Sequence, residues 1–196
     1  MNHLIKPAIA AVVQRDNGGI DDLVAGFAIS LINRGWRVRG LVQEMHQGRH
    51  GCAFSLVDLD DGKLYPITHD LGQHSTSCRL DTAGIAEASV VLRRIAEGGA
   101  DLAVFNRFSG LEARGEGFSV EMLEIMSREI PCLCVVPEKH LAPWRQFTGG
   151  LAIELEGNRA ALESWFFATP EQPSARGIQM PFVGRAKAFH TAGEHA

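Results

Sequence analysis

The sequence lacks three features that would place it in a specialised class of protein. Basic residues are not in excess, since 19 Lys and Arg stand against 23 Asp and Glu for a net charge of −4, whereas nucleic-acid-binding surfaces are usually basic. No apolar run approaches the roughly 18–20 residues of a membrane span. Four cysteines in 196 residues are too few for a disulfide scaffold. We therefore expect no nucleic-acid partner and no membrane span.

The N-terminus also carries no sign of a secretory signal. Residues 1–6 (MNHLIK) lead straight into a strand-like segment, without the apolar stretch and small-residue cleavage site of a signal peptide. Hydrophobic residues make up 45% of the chain and charged residues 21%, which is close to the average of globular proteins. The sequence thus predicts a globular protein of the cytoplasm.

Strand-like and helix-like patterns alternate along residues 1–156. The run at 8–13 (AIAAVV) is typical of a strand buried on both faces, and Asp60-Asp61-Gly62 between two alternating segments predicts a β-hairpin over residues 52–67. The alternation predicts a three-layer α/β domain with a mostly parallel sheet and an inserted β-hairpin. The predicted strands are 8–13, 36–43, 100–105 and 130–136, and the predicted helices are 20–33, 82–98, 119–129 and a helix-like stretch at 141–156 broken by Gly149-Gly150.

The pattern changes at about Gly157. Residues 158–167 predict a short helix. After it, prolines and glycines interrupt any helical or strand-like spacing of apolar residues. We interpret residues 157–196 as a short helix and an irregular C-terminal tail. This tail is a candidate contact for a second copy of the chain or for another protein.

The loop at 14–19 stands where a phosphate-binding P-loop would follow the first strand. A P-loop needs the pattern G-x-x-x-x-G-K-[ST] to hold phosphates. Here Gly18 and Gly19 are adjacent, no lysine follows, and Asp21 and Asp22 occupy the start of the helix. Two interpretations remain open: a plain turn with a helix cap, or an anion pocket that uses Arg15 and the helix N-terminus.

The segment 101–106 (DLAVFN) has the form of a Walker B strand with one change. Its last position is normally an aspartate that holds Mg²⁺ through water, but here it is Asn106. An amide replaces that anionic ligand poorly, and the neighbouring Arg107 would attract an anion and repel a metal. The alternative is that Asn106 only forms a turn.

The loop at 69–79 is the densest cluster of hydrogen-bond donors in the chain. Ser75, Thr76 and Ser77 supply neutral donors, and Arg79 supplies a planar, charged fork next to a predicted helix start. Such a set suits a tetrahedral oxyanion. The alternative is a solvated loop in which Arg79 forms a surface salt bridge. The predicted oxyanion-binding residues are Arg15, Ser75, Ser77, Cys78, Arg79, Asn106 and Arg107.

Histidine and cysteine spacings do not favour a metal site. His46, His50 and Cys52, and separately His74 and Cys78, lie in predicted loops without the compact spacing typical of zinc ligands. We therefore predict no metal centre. We interpret Cys132 and Cys134 as core residues on opposite faces of a strand rather than as a redox pair.

Several motifs together resemble a known family. The segments are 40–44 (GLVQE), Cys52, 56–63 (LVDLDDGK), 70–72 (DLG), 77–81 (SCRLD), 100–112 (ADLAVFNRFSGLE) with Gly115 and 117–118 (GF), and 147–151 (FTGGL). Over about residues 8–155 they are similar to a bacterial domain-of-unknown-function family related to the THEP-type nucleoside triphosphatases. Many members carry the label of a molybdenum ABC transporter ATP-binding protein. Ser109 departs from the pattern, which commonly has glycine there.

The resemblance implies a P-loop-NTPase-like α/β fold and, through the family's labels, a link to molybdate or tungstate. Our first hypothesis is a non-catalytic oxyanion-binding protein. The second is a nucleoside triphosphatase with an unorthodox site, binding ATP or GTP with Mg²⁺, in which Glu112 would orient the attacking water. The third is a regulatory or adaptor module that binds another protein.

Overall fold

Strands and helices alternate in the computed structural model much as the sequence predicts. The structure describes residues 8–15, 18–48, 51–69 and 79–168. The strands in this part are β1 (Ile9–Gln14), β2 (Val38–Gly48), β3 (Gly51–Asp58), β4 (Leu64–Pro66), β5 (Thr68–His69), β6 (Arg79–Leu80), β7 (Leu102–Arg107), β8 (Cys132–Pro137) and β9 (Ile153–Leu155). The helices are α1 (Ile20–Asn33), α2 (Thr82–Gly98), α3 (Ser119–Ser127), α4 (Leu141–Phe147) and α5 (Arg159–Ala168), with short 3-10 turns at Glu112–Arg114 and Glu138–His140.

Seven strands form one mostly parallel sheet in the order β4-β3-β2-β7-β8-β1-β9. The pairs β2–β7, β7–β8, β8–β1 and β1–β9 are parallel. The inserted hairpin adds β3 and β4 in antiparallel fashion beyond β2, and β5 and β6 form a separate two-stranded ladder. The predicted α/β class, the parallel sheet and the inserted hairpin are confirmed.

Helices cover both faces of the sheet and give three layers. Buried side chains of α1 and α5, such as Phe27 and Phe166, share one core with Ala10 and Val12 of β1. Buried side chains of α2, α3 and α4 form the other core, in which Trp144 is fully buried. Alternate residues of a buried strand point to opposite faces, so the central strands serve both cores. Among the described helices none is long and apolar enough to cross a membrane.

The expectation that Cys132 and Cys134 face opposite sides is wrong. Residues two apart in a strand point to the same face, and both side chains lie in the core formed with α2, α3 and α4. Both thiols are free and fully buried. Burial raises the pKa of each thiol, so neither is a reactive thiolate.

The segment 44–51 is not the loop that its histidines and glycines predict. β2 continues to Gly48 and β3 begins at Gly51, with residues from Leu41 to Gly48 paired to β3. β2 pairs with β7 only at Val38, Arg39 and Gly40. Gly40 has φ of +133°, and a Cβ there would lie 2.0 Å from the carbonyl oxygen of Val104. The strand therefore bends away from β7 at a position that only glycine fits, and it continues as a two-stranded ribbon with β3.

The stretch at 141–156 is a helix followed by a strand, not one interrupted helix. α4 ends at Phe147, and after Gly149-Gly150 the chain adds β9 parallel to β1. The predicted short helix is confirmed as α5, and its Leu162, Trp165 and Phe166 are buried. The boundary between residues 1–156 and residues 157–196 stays a prediction. The tail from residue 169 lies outside the described residues.

Candidate functional site

The carboxyl ends of the parallel strands meet at one edge of the sheet, where α/β proteins bind ligands. β1 ends at Gln14, β7 at Arg107 and β8 at Pro137, and β8 lies between the other two. α1 starts at the same edge because it follows β1, and Asp21 and Asp22 lie in its first turn. The unpaired N–H groups of a helix start attract anions.

Arg107 reaches across the end of β8 to the first turn of α1. Its Nη2 donates to both carboxylate oxygens of Asp21 at 2.8 Å, and its Nη1 donates to Oε1 of Gln14. The Arg107 and Asp21 side chains are 20% and 29% exposed. A guanidinium therefore lies beside the helix N-terminus where a P-loop fold holds phosphate, and the carboxylate bound to it comes from the protein itself.

The two neighbouring candidates point elsewhere. Asn106 donates through Nδ2 to Oε1 of Gln43 on β2, at 3.4 Å. Arg15 follows β1, and its Nε lies 3.5 Å from Oε1 of Glu138, with both side chains more than 60% exposed. Asn106 thus faces β2, whereas Arg107 faces β1. The ion pair between Arg15 and Glu138 is exposed, which makes it a weak restraint.

Glu112 shapes the loop after β7. Its carboxylate is buried and accepts hydrogen bonds from the Ser109 N–H at 3.0 Å, the Ser109 hydroxyl at 2.9 Å and the Phe118 N–H at 3.3 Å. A Cβ at Gly117 would lie 2.2 Å from Oε1 of Glu112. Each oxygen of this carboxylate therefore binds the protein's own loop. Ser109, the departure from the family pattern, is one of its partners.

The donor-rich loop lies mostly outside the described residues, and Ser75, Ser77 and Cys78 fall there. Its base is described: β6, which begins at Arg79, pairs with β5, and the Thr68 hydroxyl of β5 accepts from the Phe54 N–H at 2.9 Å. Phe54 pairs with Met45 on β2, two residues beyond the Gln43 that contacts Asn106. This chain of contacts places the backbone of His69 and Arg79 near the carboxyl edge, although the Arg79 side chain is not described.

The start of α2 faces the same edge. Asp81 caps this helix by accepting the Ala83 N–H at 2.9 Å, and α2 leads back to the opposite edge where β7 begins. The N-termini of α1, α2 and α3 therefore lie at the carboxyl edge. Their peptide dipoles favour negative charge there, and the carboxylates of Asp21, Asp22 and Asp81 at the helix starts offset part of this effect.

Metal ligation is not evident in the described part of the chain. There, no group of three or more His, Cys, Asp or Glu side chains lies close enough together to hold an ion. Nδ1 of His46 lies 3.8 Å from Oε1 of Glu44 on the same strand. The side chains of His50, Cys52, His74 and Cys78 fall outside the described residues.

Sequence reasoning missed a polar cluster at the amino edge. Asp58 is fully buried, and its Oδ2 lies 2.6 Å from Nη2 of Arg94, while its Oδ1 accepts the Asp60 N–H at 2.9 Å. Burial raises the pKa of Asp58, with a smaller rise from Asp61, against the opposing effects of the Asp60 hydrogen bond and of Arg94. The only signal in the sequence is an aspartate that interrupts the apolar pattern at 56–59 (LVDL).

The likeness to known structures concerns the fold. A human cancer-related nucleoside triphosphatase, solved in solution, matches with a TM-score of 0.57 over 83% of this chain and 93% of that one. The two sequences are 18% identical. At that identity the match shows a P-loop-NTPase-like architecture, as the sequence predicts.

Two sequence comparisons give matches, and one of them identifies the family. The molybdenum import ATP-binding protein ModC 2 of Bradyrhizobium diazoefficiens is 36% identical over 160 residues, which are 81% of this chain but 18% of that relative. A family model described as "Protein of unknown function (DUF2478)" matches residues 9–165. Since that match spans most of the chain and all strands of the main sheet, the protein belongs to the DUF2478 family.

Proposed function

We propose that this chain binds a tetrahedral oxyanion at the carboxyl edge of its sheet and does not hydrolyse nucleoside triphosphates. The observation that carries the proposal is the Arg107 guanidinium beside the first turn of α1, bound to the Asp21 carboxylate. A carboxylate and a tetrahedral oxyanion present the same acceptors to a guanidinium fork. A dianion that displaces Asp21 would find Arg107 and the helix N-terminus already in place.

The same residues argue against hydrolysis. Catalysis of phosphoryl transfer rests on a lysine and a metal ion that neutralise the developing charge. The loop at 14–19 has no lysine, and Asn106 replaces the carboxylate that would hold Mg²⁺. Asp21 and Asp22 would repel a triphosphate. Glu112, the candidate for orienting water, is buried and bound to Ser109 and Phe118.

Molybdate or tungstate is the proposed ligand. The name of the 36% identical relative includes molybdenum import, although this chain corresponds to 18% of that protein's length. In the proposed complex, Arg107 and Arg79 supply charge. Arg15 leaves Glu138 and Asn106 leaves Gln43 to join them, and Ser75 and Ser77 supply further neutral donors. Cys78 offers a soft contact to molybdenum. We place this activity in the cytoplasm.

A thermal-shift panel tests the ligand class on the full chain. Molybdate and tungstate should stabilise the protein, since a ligand bound only by the folded state raises the melting temperature. Arg79→Ala should remove most of this stabilisation. Arg128→Ala should keep it, because Arg128 pairs with Glu124 at the far end of α3. Absence of stabilisation by any tetrahedral anion would contradict the proposal and favour the adaptor hypothesis.

A phosphate-release assay separates the proposal from the nucleoside triphosphatase that the fold alone would favour. We expect only trace release from ATP or GTP, with or without Mg²⁺. Magnesium-dependent turnover of about one per second would be within the usual range of such enzymes. Such turnover, together with its loss in Glu112→Ala, would contradict the proposal that the protein is not catalytic. Tungstate binding without turnover supports it.

A further inference from the structure

We infer that the β2–β3 ribbon pairs with a second copy of this chain, edge to edge and antiparallel, about a two-fold axis at Met45. The inference uses residues other than the oxyanion donors, although Gln43 on the same strand edge accepts the Asn106 amide. It rests on the edge of β2 that faces β7, on an exposed methionine, and on residues 43–47, which read nearly the same in either direction.

Beyond Gly40 no described segment forms a ladder with the edge of β2 that faces β7. β7 pairs with β2 only as far as Gly40, and from Leu41 to Gly48 the strand pairs with β3 alone. A long open strand edge invites pairing with another chain, and proteins usually shorten it, charge it or cover it. This edge is eight residues long and no described segment pairs with it.

The direction of its backbone groups follows from the ladder. The Leu59 N–H donates to the carbonyl oxygen of Gly40 at 3.0 Å, so the backbone carbonyl of Gly40 points towards β3. In an antiparallel pair that direction alternates with every residue. Residues 42, 44 and 46 therefore bond to β3, and the N–H and C=O groups of Gln43, Met45 and residue 47 point to the open edge.

The side chains on this edge are self-complementary. Residues 43–47 read Gln-Glu-Met-His-Gln, so an antiparallel copy centred on Met45 sets Glu44 opposite His46 of the second copy. In this antiparallel arrangement Glu44 and His46 of the second copy form a non-hydrogen-bonded pair. The Cα atoms of such a pair lie about 4.5 Å apart, so the two side chains are in contact. An imidazole N–H donates to a carboxylate in that arrangement.

Met45 is the centre of the proposed interface. Its side chain is 63% exposed, and Glu44 and His46 beside it are 39% and 36% exposed. In the dimer the two Met45 residues exchange two N–H to C=O hydrogen bonds and their side chains cover each other. Two hairpin ribbons then join two seven-stranded sheets into one continuous sheet.

Light scattering on the full chain tests the proposal. At about 100 µM the wild type should show twice the 21.3 kDa mass of one chain, and the mass should fall on dilution. Met45→Pro should raise the dimer dissociation constant at least about tenfold, because it removes an outward N–H from each chain. The bonds to β3 stay intact in this variant, since Met45 does not donate to β3. A melting temperature equal to that of the wild type, measured at a dilution where both are monomeric, would verify this.

A second pair of variants locates the interface. Met45→Lys should give a monomer. Leu64→Lys should remain a dimer, although Leu64 is 49% exposed, because it lies on β4 at the far side of the hairpin. Met45→Cys should form a disulfide-linked dimer on mild oxidation, since paired Cα atoms about 5.5 Å apart are within disulfide reach. A monomeric wild type at the same concentration, or a dimer that survives Met45→Pro, would contradict the inference.

Discussion

The two edges of the sheet each carry an arginine–aspartate pair, and the pairs are built differently. At the amino edge the Asp58 carboxylate is fully buried and is also held by the Asp60 N–H. At the carboxyl edge Asp21 is 29% exposed and lies in the first turn of a helix. A buried ion is costly to separate from its partner, whereas a partly exposed one can return to water. The comparison suggests that the Asp58 pair stabilises the fold, and that the Asp21 pair is exchangeable for a ligand.

Removing Arg94 should have the largest effect on stability. Arg94→Ala leaves the Asp58 carboxylate buried without its counter-charge, and we expect the free energy of unfolding to fall by about 3 kcal/mol at pH 7. Arg128→Ala is the control, because Arg128 forms an exposed ion pair with Glu124. We expect this control to cost less than about 1 kcal/mol. Urea denaturation of both variants measures the difference, and equal losses would contradict the structural role of Asp58.

The loss in Arg94→Ala should also depend on pH in a defined direction. Burial already raises the pKa of Asp58 in the folded protein, and removal of Arg94 raises it further. A carboxyl whose folded pKa is raised lowers stability as the pH rises from its unfolded pKa, about 3.9, through its folded pKa. The deficit of Arg94→Ala relative to wild type should therefore shrink as the pH is lowered from 7 towards 4. If the stability deficit of Arg94→Ala instead grows as the pH is lowered, this prediction is contradicted.

Replacing Asp21 should have a smaller effect, and one on binding rather than folding. Asp21→Asn removes the carboxylate that competes with a ligand for Arg107, and we expect this partly exposed pair to be worth about 1 kcal/mol. Tungstate affinity should therefore rise by about fivefold. Asp22→Asn is the control, because it removes the same charge from the same helix turn, and Asp22 is exposed. If both variants bind alike, the helix charge alone explains the effect and the exchange is refuted.

Local patterns predicted those parts of the fold that local interactions determine. The bounds of α1 and α2 agree with the expected 20–33 and 82–98, since regular apolar spacing and the Asp81 cap define them. β9 was missed because a three-residue strand has too short a pattern to stand out from the helix before it. The β2 extension was missed because the histidines and glycines at 46–51 resemble a loop unless their pairing with β3 is known.

In the candidate site, too, the sequence identifies individual residues but not the distant residues that they contact. Arg107 is recognisable as a donor from its place after a Walker-B-like strand, but its partner Asp21 lies 86 residues away. Arg94 and Asp58 are 36 residues apart. Strand order decides which of these charges meet, and that order results from packing of the whole sheet. Sequence patterns could therefore nominate Arg107 and Asn106, but could not show that they face different neighbours.

Calorimetric titration of tungstate into the full chain shows whether Arg107 holds the oxyanion, with wild type, Arg107→Ala and Arg128→Ala measured side by side. We expect one site in the wild type and in Arg128→Ala. Arg107→Ala should bind about ten- to a hundredfold more weakly, because a charged hydrogen bond is worth roughly 1.5–3 kcal/mol. Its melting temperature without ligand should stay close to that of wild type, since the pair with Asp21 is partly exposed. Equal binding by wild type and Arg107→Ala, or no binding by either, would contradict the claim.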